Sequence, residues 1–372
     1  MHLTLHLTNK CNLKCDYCFV KPGIERMSRD VAFAAVKLGM ENNKSSGLLF
    51  YGGEPLLEKQ LIYDIVDYTQ RIKKETGHIF YYKITTNGTL LDERFIKMAR
   101  DVNMTISFSH DGPAQDDNRI FYNGDGSFDV LKDKIPLLLK YLPYSVAMSV
   151  IDPATVHKAS SIVKFLFEKG FRYITINLNY SKDAPWTKEH LKVLEDEYKK
   201  MAELYLKWTK AEEKFYLSPF DMKILSHLKG EKYAEDRLQM NRNQPSVAPN
   251  GNVFPASRYV DDDAFVIGDV FLGIDSDKRK ALEEKELIPI TPCLECAIRT
   301  RCNYTCVNLV RQENEIFPEI SPVQCAHEQI LTPIVDNVAE KLYSERNALF
   351  IHKHYNELYP VMSFVEDKSR IG

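Results

Sequence analysis

The sequence lacks a run of about 18 apolar residues, a signal-peptide pattern and a strong net charge. The missing apolar run excludes a transmembrane helix. A net charge of −3 over 372 residues creates no basic field that would attract nucleic acid or an anionic membrane. With 44% hydrophobic and 27% charged residues, a disordered or fibrous chain is excluded as well. We therefore predict a cytoplasmic globular protein whose partners include neither nucleic acid nor membrane.

Cysteine is absent from residues 19–292, and all 8 cysteines lie in two segments near the ends of the chain. They are Cys11, Cys15 and Cys18 in the first segment, and Cys293, Cys296, Cys302, Cys306 and Cys325 in the second. Tight clusters in a long chain argue against a disulfide framework and favour zinc or iron–sulfur ligation. The first segment offers three thiolates, so a structural zinc ion would need a fourth ligand, for which the nearest candidates are His2, His6 and His78.

Alternating β-rich and helical segments fill the first half of the chain. The predicted strands are Leu3–Leu7, Gly47–Tyr51, Ile79–Thr85, Met104–Ser109, Ser145–Ile151 and Tyr173–Asn179. Helical patterns separate these strands, which indicates parallel β/α units. The sequence therefore predicts an α/β fold with a parallel sheet.

Polar motifs follow four of the predicted strands. They are the loop with Cys11–Cys18, the segment Gly52–Pro55, the segment Thr85–Gly88 and the segment Ser107–Pro113. Active sites of parallel β/α folds lie at the carboxyl ends of the strands. We therefore expect these four motifs to converge on one rim of the sheet.

The second half of the chain has a different organisation. A charged helical pattern covers 187–213, a hairpin signal lies at Pro249–Gly251, and a closing helix is predicted from His327 to Ser344. We predict four units: a β/α unit over 1–185, a helical linker over 186–235, a cysteine-rich unit over 236–330 and a helical tail over 331–372.

The motif CNLKCDYC, which holds the first three cysteines, resembles the signature of the radical S-adenosylmethionine (SAM) enzymes. Gly52-Gly53-Glu54-Pro55 resembles the GGEP segment of the same family. The resemblance implies a partial (β/α)6 TIM-like barrel in which Cys11, Cys15 and Cys18 hold a [4Fe-4S] cluster. It also implies that SAM binds the open iron and is cleaved to a 5′-deoxyadenosyl radical, which abstracts hydrogen from the substrate.

The resemblance also assigns the cofactor-binding residues near the first cluster. It implies that Gly52 and Gly53 accept a hydrogen bond from the SAM ammonium group, and that Glu54 orients the same end of SAM. A helix-start carboxylate is the alternative for Glu54. Tyr17 would stack near the adenine ring, and simple packing is its alternative.

Five further cofactor-binding residues are expected at or after later strand ends. Thr86 and Asn87 would contact the ribose or the carboxylate of SAM, although Asn87-Gly88 is also an ordinary turn pair. Ser109 and Asp111 resemble the SxDG strand end of the family. Arg119 would clamp the SAM carboxylate with its guanidinium group, and a surface salt bridge is the alternative. The sequence does not identify a catalytic residue.

The second cysteine segment resembles the carboxyl-terminal part of the SPASM domain, an auxiliary iron–sulfur unit of peptide-modifying radical SAM enzymes. That correspondence assigns one auxiliary [4Fe-4S] cluster to Cys293, Cys296, Cys302 and Cys325. A zinc site on the same four thiols is the alternative. Ala256 stands where the family has a cysteine of a second auxiliary cluster, so Cys306 is expected to be a spare thiol.

These resemblances predict an enzyme that matures a ribosomally made peptide, by thioether or other crosslink formation. A peptide epimerase and an anaerobic sulfatase-maturing (formylglycine-forming) enzyme are alternatives, and a non-enzymatic iron–sulfur scaffold is a third. Ser257 stands where the sulfatase-maturing family has an aspartate base, which argues against that reaction.

The predicted partners are a peptide substrate and an external electron donor of the flavodoxin or ferredoxin type. Because the first strand begins at residue 3, no leader-recognition domain is expected before it. A separate leader-binding protein or the carboxyl-terminal tail would then recognise the leader peptide.

Overall fold

The computed structural model describes residues 1–41, 43–233, 236, 242–288, 290–302, 307–312 and 315–369. Its strands are β1 (His2–Thr8), β2 (Leu13–Cys15), β3 (Ser45–Gly52), β4 (Ile79–Thr86), β5 (Thr105–Ser109), β6 (Arg119–Phe121), β7 (Val146–Ile151), β8 (Tyr173–Leu178), β9 (Tyr216–Ser218), β10 (Ser246–Val247), β11 (Asn252–Phe254), β12 (Gly268–Asp269), β13 (Gly273–Ile274), β14 (Val307–Gln312) and β15 (Glu315–Ile320).

The helices pack mainly around one large sheet. They are α1 (Arg29–Met40), α2 (Lys59–Thr76), α3 (Glu93–Asp101), α4 (Gln115–Asn118), α5 (Phe128–Leu131), α6 (Lys134–Tyr141), α7 (Ala159–Glu168), α8 (Lys188–Lys210), α9 (Phe220–Lys229), α10 (Ser276–Glu286), α11 (Thr291–Leu294), α12 (Pro322–Ser344), α13 (Ala348–Tyr355) and α14 (Tyr359–Ser369). No helix in the described ranges has both the length and the apolar character needed to cross a bilayer.

The sheet has eleven strands in the order β13-β12-β11-β10-β1-β3-β4-β5-β7-β8-β9. From β10 to β9 every neighbouring pair is parallel, whereas β11, β12 and β13 extend one edge in antiparallel pairs. The six predicted strands are β1, β3, β4, β5, β7 and β8, and each bound lies within two residues of its prediction. The predicted α/β class is confirmed, and the two open edges among the described residues agree with a partial barrel.

Each central strand has a buried face toward the helices and a second, more accessible face. Leu3 of β1 packs toward α1, since a Cβ atom on Gly39 would lie 3.2 Å from its side chain. In β4, the Tyr82 hydroxyl lies 2.8 Å from Thr69 Oγ1 and accepts a hydrogen bond from Gln70, both on α2. Alternate residues of β4, β7 and β8 are partly or fully exposed. We call this second face, which points away from the helices, the inner face.

The strand register defines which side chains share the inner face. Because side chains alternate along a strand, residues paired across parallel strands point the same way. The ladder Thr4–Leu49–Lys83–Thr105 and the pairs His6–Tyr51 and Thr85–Ser107 therefore lie on one face. A complete TIM barrel fills its interior with side chains. Here several of the inner positions remain accessible, which leaves room for ligands.

The segment predicted as a helical linker is not helical throughout. Helix α8 covers most of the predicted helix, and Thr187 caps its first turn by accepting from the His190 backbone nitrogen at 3.4 Å. The strand β9 then adds to the sheet beside β8. Three residues are too few to show a β periodicity, which is why the sequence did not indicate this strand.

The closing helix α12 begins five residues earlier than predicted. Ser321 accepts a hydrogen bond from the Gln324 backbone nitrogen at 3.4 Å, and Pro322 occupies the first turn. Both are ordinary features of a helix start. As a result Cys325 belongs to the first turn of a helix, whereas the predicted helix began two residues after it.

The last two helices cover the amino ends of several parallel strands. Tyr173, the first residue of β8, donates a hydrogen bond to Asp367 Oδ2 at 2.6 Å. Lys214, just before β9, donates to Asp367 Oδ1 at 2.6 Å. Phe364 packs edge-on against Tyr144, just before β7. The tail thus occupies the end of the sheet opposite to the cysteine loop.

Candidate active site at the carboxyl ends of the strands

The loop after β1 brings three free thiols to the carboxyl end of the sheet. Cys15 lies opposite Arg119 in the short antiparallel pair of β2 and β6. The Cys18 backbone nitrogen donates to the Cys15 carbonyl oxygen at 3.1 Å. Burial raises the pKa of Cys11 to about 12 and that of Cys15 to about 11, and the thiol of Cys18 adds to both shifts. The three thiols therefore lie within electrostatic range of one another.

The donor set around this loop fits an iron–sulfur cluster with one iron left for another ligand. His78 Nε2 lies 2.8 Å from Ser46 Oγ, and His6 lies on the inner face of β1. In the described parts of the chain, no three His, Cys, Asp or Glu side chains converge as ligands of a single metal ion. That the three thiols of this loop hold a cluster stays a prediction.

Gly52 and Gly53 pack directly against the end of β1. A Cβ atom on Gly52 would lie 2.4 Å from the Thr8 carbonyl oxygen, and one on Gly53 would lie 2.3 Å from that of Lys10. Gly52 also has a φ of +123°, which side chains disfavour. The Gly53 nitrogen donates to the Thr8 carbonyl oxygen at 2.8 Å. Close approach of two chain segments thus explains both glycines, and their contact with SAM stays a prediction.

Glu54 is a buried hub that joins two strand ends. Its Oε1 accepts from the Leu56 nitrogen at 2.9 Å and from Thr86 Oγ1 at 2.7 Å, and its Oε2 accepts from the Asn87 nitrogen at 2.8 Å. Burial raises the pKa of this carboxyl group to about 7 against the effect of these donors. The bond to Leu56 is the helix-start contact left open above. The other two bonds fix the end of β4 relative to the end of β3.

Asn87 connects the end of β4 to the cysteine loop. Its Nδ2 donates to Asn12 Oδ1 at 2.8 Å and lies 3.8 Å from the Cys11 sulfur. Asn12 in turn donates to Thr89 Oγ1 at 2.8 Å. The sequence analysis missed Asn12 and Thr89. The available signal was the position of Asn12 between two cysteines, because an amide in the cysteine loop can reach the polar groups that follow β4, here Asn87 and Thr89.

Asp111 is the centre of a second buried network at this rim. Its Oδ2 accepts from Arg119 Nε at 2.8 Å and from the Tyr17 hydroxyl. Its Oδ1 accepts from Ser149 Oγ at 2.9 Å and from the Val150 nitrogen at 3.0 Å. The carboxylate therefore joins the cysteine loop, the β6 strand and the end of β7.

The Asp111–Arg119 contact is a buried ion pair. Arg119 is 6% exposed, so the alternative of a surface salt bridge was wrong about its location. Asp111 raises the pKa of Arg119 although burial opposes the charged form. The guanidinium carbon lies 5.2 Å from the centre of the Tyr17 ring, so Tyr17 has a packing role. Ser109 ends β5 with its side chain on the inner face. The SAM contacts of Tyr17, Ser109 and Arg119 stay predictions.

Four cysteines of the second segment also lie near one another. Burial raises the pKa of Cys325, and the thiols of Cys296, Cys302 and Cys293 add to that rise. The Cys296 nitrogen donates to the Cys293 carbonyl oxygen at 3.3 Å. The helix start at Ser321 thus presents Cys325 to a loop with three thiols. Cys306 lies outside the described residues.

Two contacts to helix α12 and one to α9 hold this second loop. Arg301 donates from both terminal nitrogens to the carboxylate of Asp336, at 2.7 and 2.6 Å. The Lys223 ammonium group lies 3.5 Å from the Arg301 carbonyl oxygen and forms an ion pair with Glu328. The side chains of Lys223 and Glu328 are 1% and 3% exposed. The loop before Cys302 is therefore fixed through both its side chain and its backbone.

Replacing Lys223 with methionine is expected to lower the free energy of unfolding by about 3–5 kcal/mol, because Glu328 loses its counter-charge while buried. Urea denaturation of the anaerobic protein measures the change. Lys229→Met on the same helix is the matched control, since its ion pair with Asp236 is exposed and should contribute less than about 1 kcal/mol. Equal effects of the two substitutions would contradict the assigned role of the buried pair.

Comparison with known proteins agrees with this geometry. The family model of the Radical SAM superfamily matches residues 5–166. A putative glycyl-radical enzyme activating enzyme, MJ1632 of Methanocaldococcus jannaschii, is 30% identical over 201 residues, which cover 51% of this chain and 74% of the relative. The chain belongs to the radical SAM superfamily. This membership confirms the predicted family, and it implies SAM and a [4Fe-4S] cluster as cofactors.

Two further comparisons involve sulfatase-maturating enzymes. The cysteine-type anaerobic sulfatase-maturating enzyme of Clostridium novyi is 26% identical over 181 residues, which are 45% of this chain and 48% of that enzyme. The structure of anSMEcpe with bound AdoMet and Cp18Cys peptide is 20% identical, with a TM-score of 0.73 over 92% of this chain and 99% of that one. This chain thus spans about half the length of the sulfatase-maturating relatives it matches in sequence, and the structural likeness establishes the fold.

Proposed function

We propose that this radical SAM protein cleaves SAM reductively and uses the resulting radical to modify a peptide. The observation that carries the proposal is the position of the cysteine loop, the Glu54 hub and the Asp111–Arg119 pair at one rim, beside an accessible inner face. The cysteine loop offers a place for the cluster, and the inner face offers room for SAM and a substrate side chain. A metalloprotein that only stores or senses iron has no need of this second space.

The residues at the rim have separate roles in this proposal. When bound, the cluster and SAM supply a 5′-deoxyadenosyl radical that removes a hydrogen atom from the substrate. Cys11, Cys15 and Cys18 hold the cluster. SAM is contacted by the remaining predicted residues at the strand ends, which are Tyr17, Gly52, Gly53, Glu54, Thr86, Asn87, Ser109, Asp111 and Arg119. Among these, Glu54 and Asp111 act mainly by fixing the positions of their neighbours, since their oxygens already accept several hydrogen bonds.

A peptide is the proposed substrate class. The likeness in fold to an enzyme with a bound peptide extends over nearly the whole of both chains. Within this class we favour the formation of a thioether or another crosslink, as the resemblance to peptide maturases predicts. The proposed partners are an electron donor of the flavodoxin or ferredoxin type and a separate leader-binding protein.

Anaerobic sulfatase maturation is the second candidate, and the sulfatase-maturating relatives favour it. The residue at the position of the family's aspartate base argues against it. Ser257 lies in that position, and its hydroxyl is 2.9 Å from Ser246 Oγ. A serine hydroxyl is a far weaker base than a carboxylate at neutral pH. We therefore place crosslink formation first.

Anaerobic incubation of the reconstituted protein with SAM and dithionite tests the proposal. We expect 5′-deoxyadenosine to accumulate, whereas a non-enzymatic scaffold would release none. With candidate peptides as substrates, mass spectrometry separates the reactions. A crosslink removes two hydrogens, an epimerase leaves the mass unchanged, and a cysteine-derived formylglycine loses two hydrogens and exchanges sulfur for oxygen. Deoxyadenosine without any altered peptide would favour a substrate from another class.

The number of bound irons is the second measurable expectation. One cluster at the first loop and one at Cys293, Cys296, Cys302 and Cys325 give about eight irons per chain. Zinc at the second site would give about four irons and one zinc. Elemental analysis of anaerobically purified protein decides between them. A count near twelve would contradict the proposal of a single auxiliary cluster, and Cys302→Ser should lose the auxiliary share alone.

A further inference from the structure

Among the described residues, the inner face carries one cation without a counter-charge. Lys83 lies in β4 on the ladder with Leu49 and Thr105, and β3 separates it from β1. Its ammonium group makes no hydrogen bond or ion pair with any residue that the structure describes. Desolvation by the surrounding protein lowers the pKa of Lys83, although its side chain remains accessible from the open side of the inner face. A lysine in such a position is available to a ligand.

His6 provides a second polar group without a partner on the same face. The residue is 1% exposed, and neither Nδ1 nor Nε2 has a hydrogen-bond partner in the part of the chain that the structure describes. Its ring packs edge-on against Tyr51, with 5.2 Å between ring centres. Burial lowers the pKa of His6 to about 4, so the ring is neutral near pH 7 and offers one donor and one acceptor. An unsatisfied buried ring of this kind is costly unless a ligand completes it.

None of the described acidic side chains on this face balances Lys83. The inner positions of the six central strands are His2, Thr4, His6, Thr8, Ser45, Gly47, Leu49, Tyr51, Ile79, Tyr81, Lys83, Thr85, Thr105, Ser107, Ser109, Val146, Met148, Val150, Tyr173, Thr175 and Asn177. The described buried acids that meet this face are Glu54 and Asp111 at the rim and Asp367, which accepts from Tyr173, at the amino end, and protein donors already occupy their oxygens. The face therefore has a positive charge and favours an anionic ligand.

We propose that Lys83, together with His6, recognises a carboxylate carried by the peptide substrate. The inference rests on the proposed function and names its substrate class as a peptide with aspartate or glutamate near the modified residue. A charge-assisted bond from the Lys83 ammonium group would orient that side chain. His6 would donate its ring N–H to the same carboxylate or to the neighbouring peptide group.

The carboxylate of SAM is the other source of the same chemistry. Lys83 is level with Thr4 in the strand register, whereas the cysteine loop begins after Thr8. Four residues of a strand separate these levels by about 13 Å. The amino-acid end of SAM belongs at the thiols, so a peptide side chain that enters the cavity is the better match for Lys83.

Selection from a random library of twelve-residue peptides, displayed anaerobically in the presence of SAM, tests this proposal. Peptides bound by the full-length reconstituted protein should be enriched in aspartate and glutamate, and Lys83→Gln should weaken the binding of a selected acidic peptide by about tenfold or more. Lys83→Glu should shift the enrichment toward lysine and arginine. Lys37→Gln, an exposed lysine on α1, is the control and should retain the acidic enrichment.

The affinity for SAM separates the two sources of carboxylate. Equilibrium dialysis should give the same SAM affinity for Lys83→Gln and for the control. A tenfold loss of SAM affinity with unchanged peptide enrichment would assign Lys83 to SAM and overturn the proposal. An absence of acidic enrichment with the wild-type protein would overturn it too. Since binding is scored without turnover, these results can be read even if SAM cleavage itself is not observed.

Discussion

Replacing Cys15 with alanine is expected to abolish the formation of 5′-deoxyadenosine while the barrel remains folded. One lost thiolate leaves the first cluster with two protein ligands, which is too few to retain a cube in an accessible loop. Cys15 is only half-buried and lies outside the large hydrophobic core, so the substitution removes little packing. The purified variant should lose about four of its eight irons, and its denaturation midpoint should stay close to that of the apo wild-type protein.

Cys306→Ala is the matched control, since the family resemblance leaves Cys306 outside both ligand sets. It should keep its full iron content and its deoxyadenosine formation. If Cys15→Ala retained both properties, the first cluster would not be at this loop. If the control lost about four irons, the assignment of the auxiliary ligands would be wrong.

The six central strands could be predicted because their local pattern and their environment agree. Buried leucines, isoleucines and aromatic residues alternate with inner-face residues in β1, β4 and β8, so a period of two is visible in the sequence. The cysteine loop was equally accessible to prediction, since the cysteine spacing and the GGEP segment are each visible in a few neighbouring residues of the sequence. Local signals of this kind need no knowledge of distant contacts.

Features that depend on distant contacts could not be predicted. The pairing of β2 with β6 joins residues separated by about a hundred positions, and neither three-residue strand has a measurable period. The glycines were explained by a ligand, whereas the structure places the Thr8 and Lys10 backbones against them. The commitment of Glu54 and Asp111 to protein donors was likewise invisible, because each partner lies on another strand. The importance of Lys83 depends on the lack of acidic neighbours among the described residues, and the sequence does not show which residues surround it.

Replacing Asp111 with asparagine is expected to lower the free energy of unfolding by about 3–5 kcal/mol. The shape of the side chain is nearly unchanged, but the Arg119 guanidinium group is left buried without a counter-charge. An asparagine that keeps its oxygen toward Ser149 and Val150 turns its NH2 group toward Arg119, which is also a donor. Arg119 lies opposite Cys15 in the register of β2 and β6. Because a disturbed Arg119 would displace this strand pair, the first cluster should bind more weakly as well.

Urea denaturation and iron retention during dialysis measure these two effects, and Asp152→Asn provides a matched control. Asp152 is also a buried aspartate after a parallel strand, but its oxygen accepts from the nitrogen and hydroxyl of Thr155, and none of the described cations pairs with it. An asparagine can still accept both bonds, so we expect a loss below about 1 kcal/mol. Combining Asp111→Asn with Arg119→Met should recover part of the stability, because no charge is then left buried. If the double variant were less stable than Asp111→Asn alone, packing around Arg119 would outweigh its charge, and Asp111 would stabilise the loop through shape instead of through the ion pair.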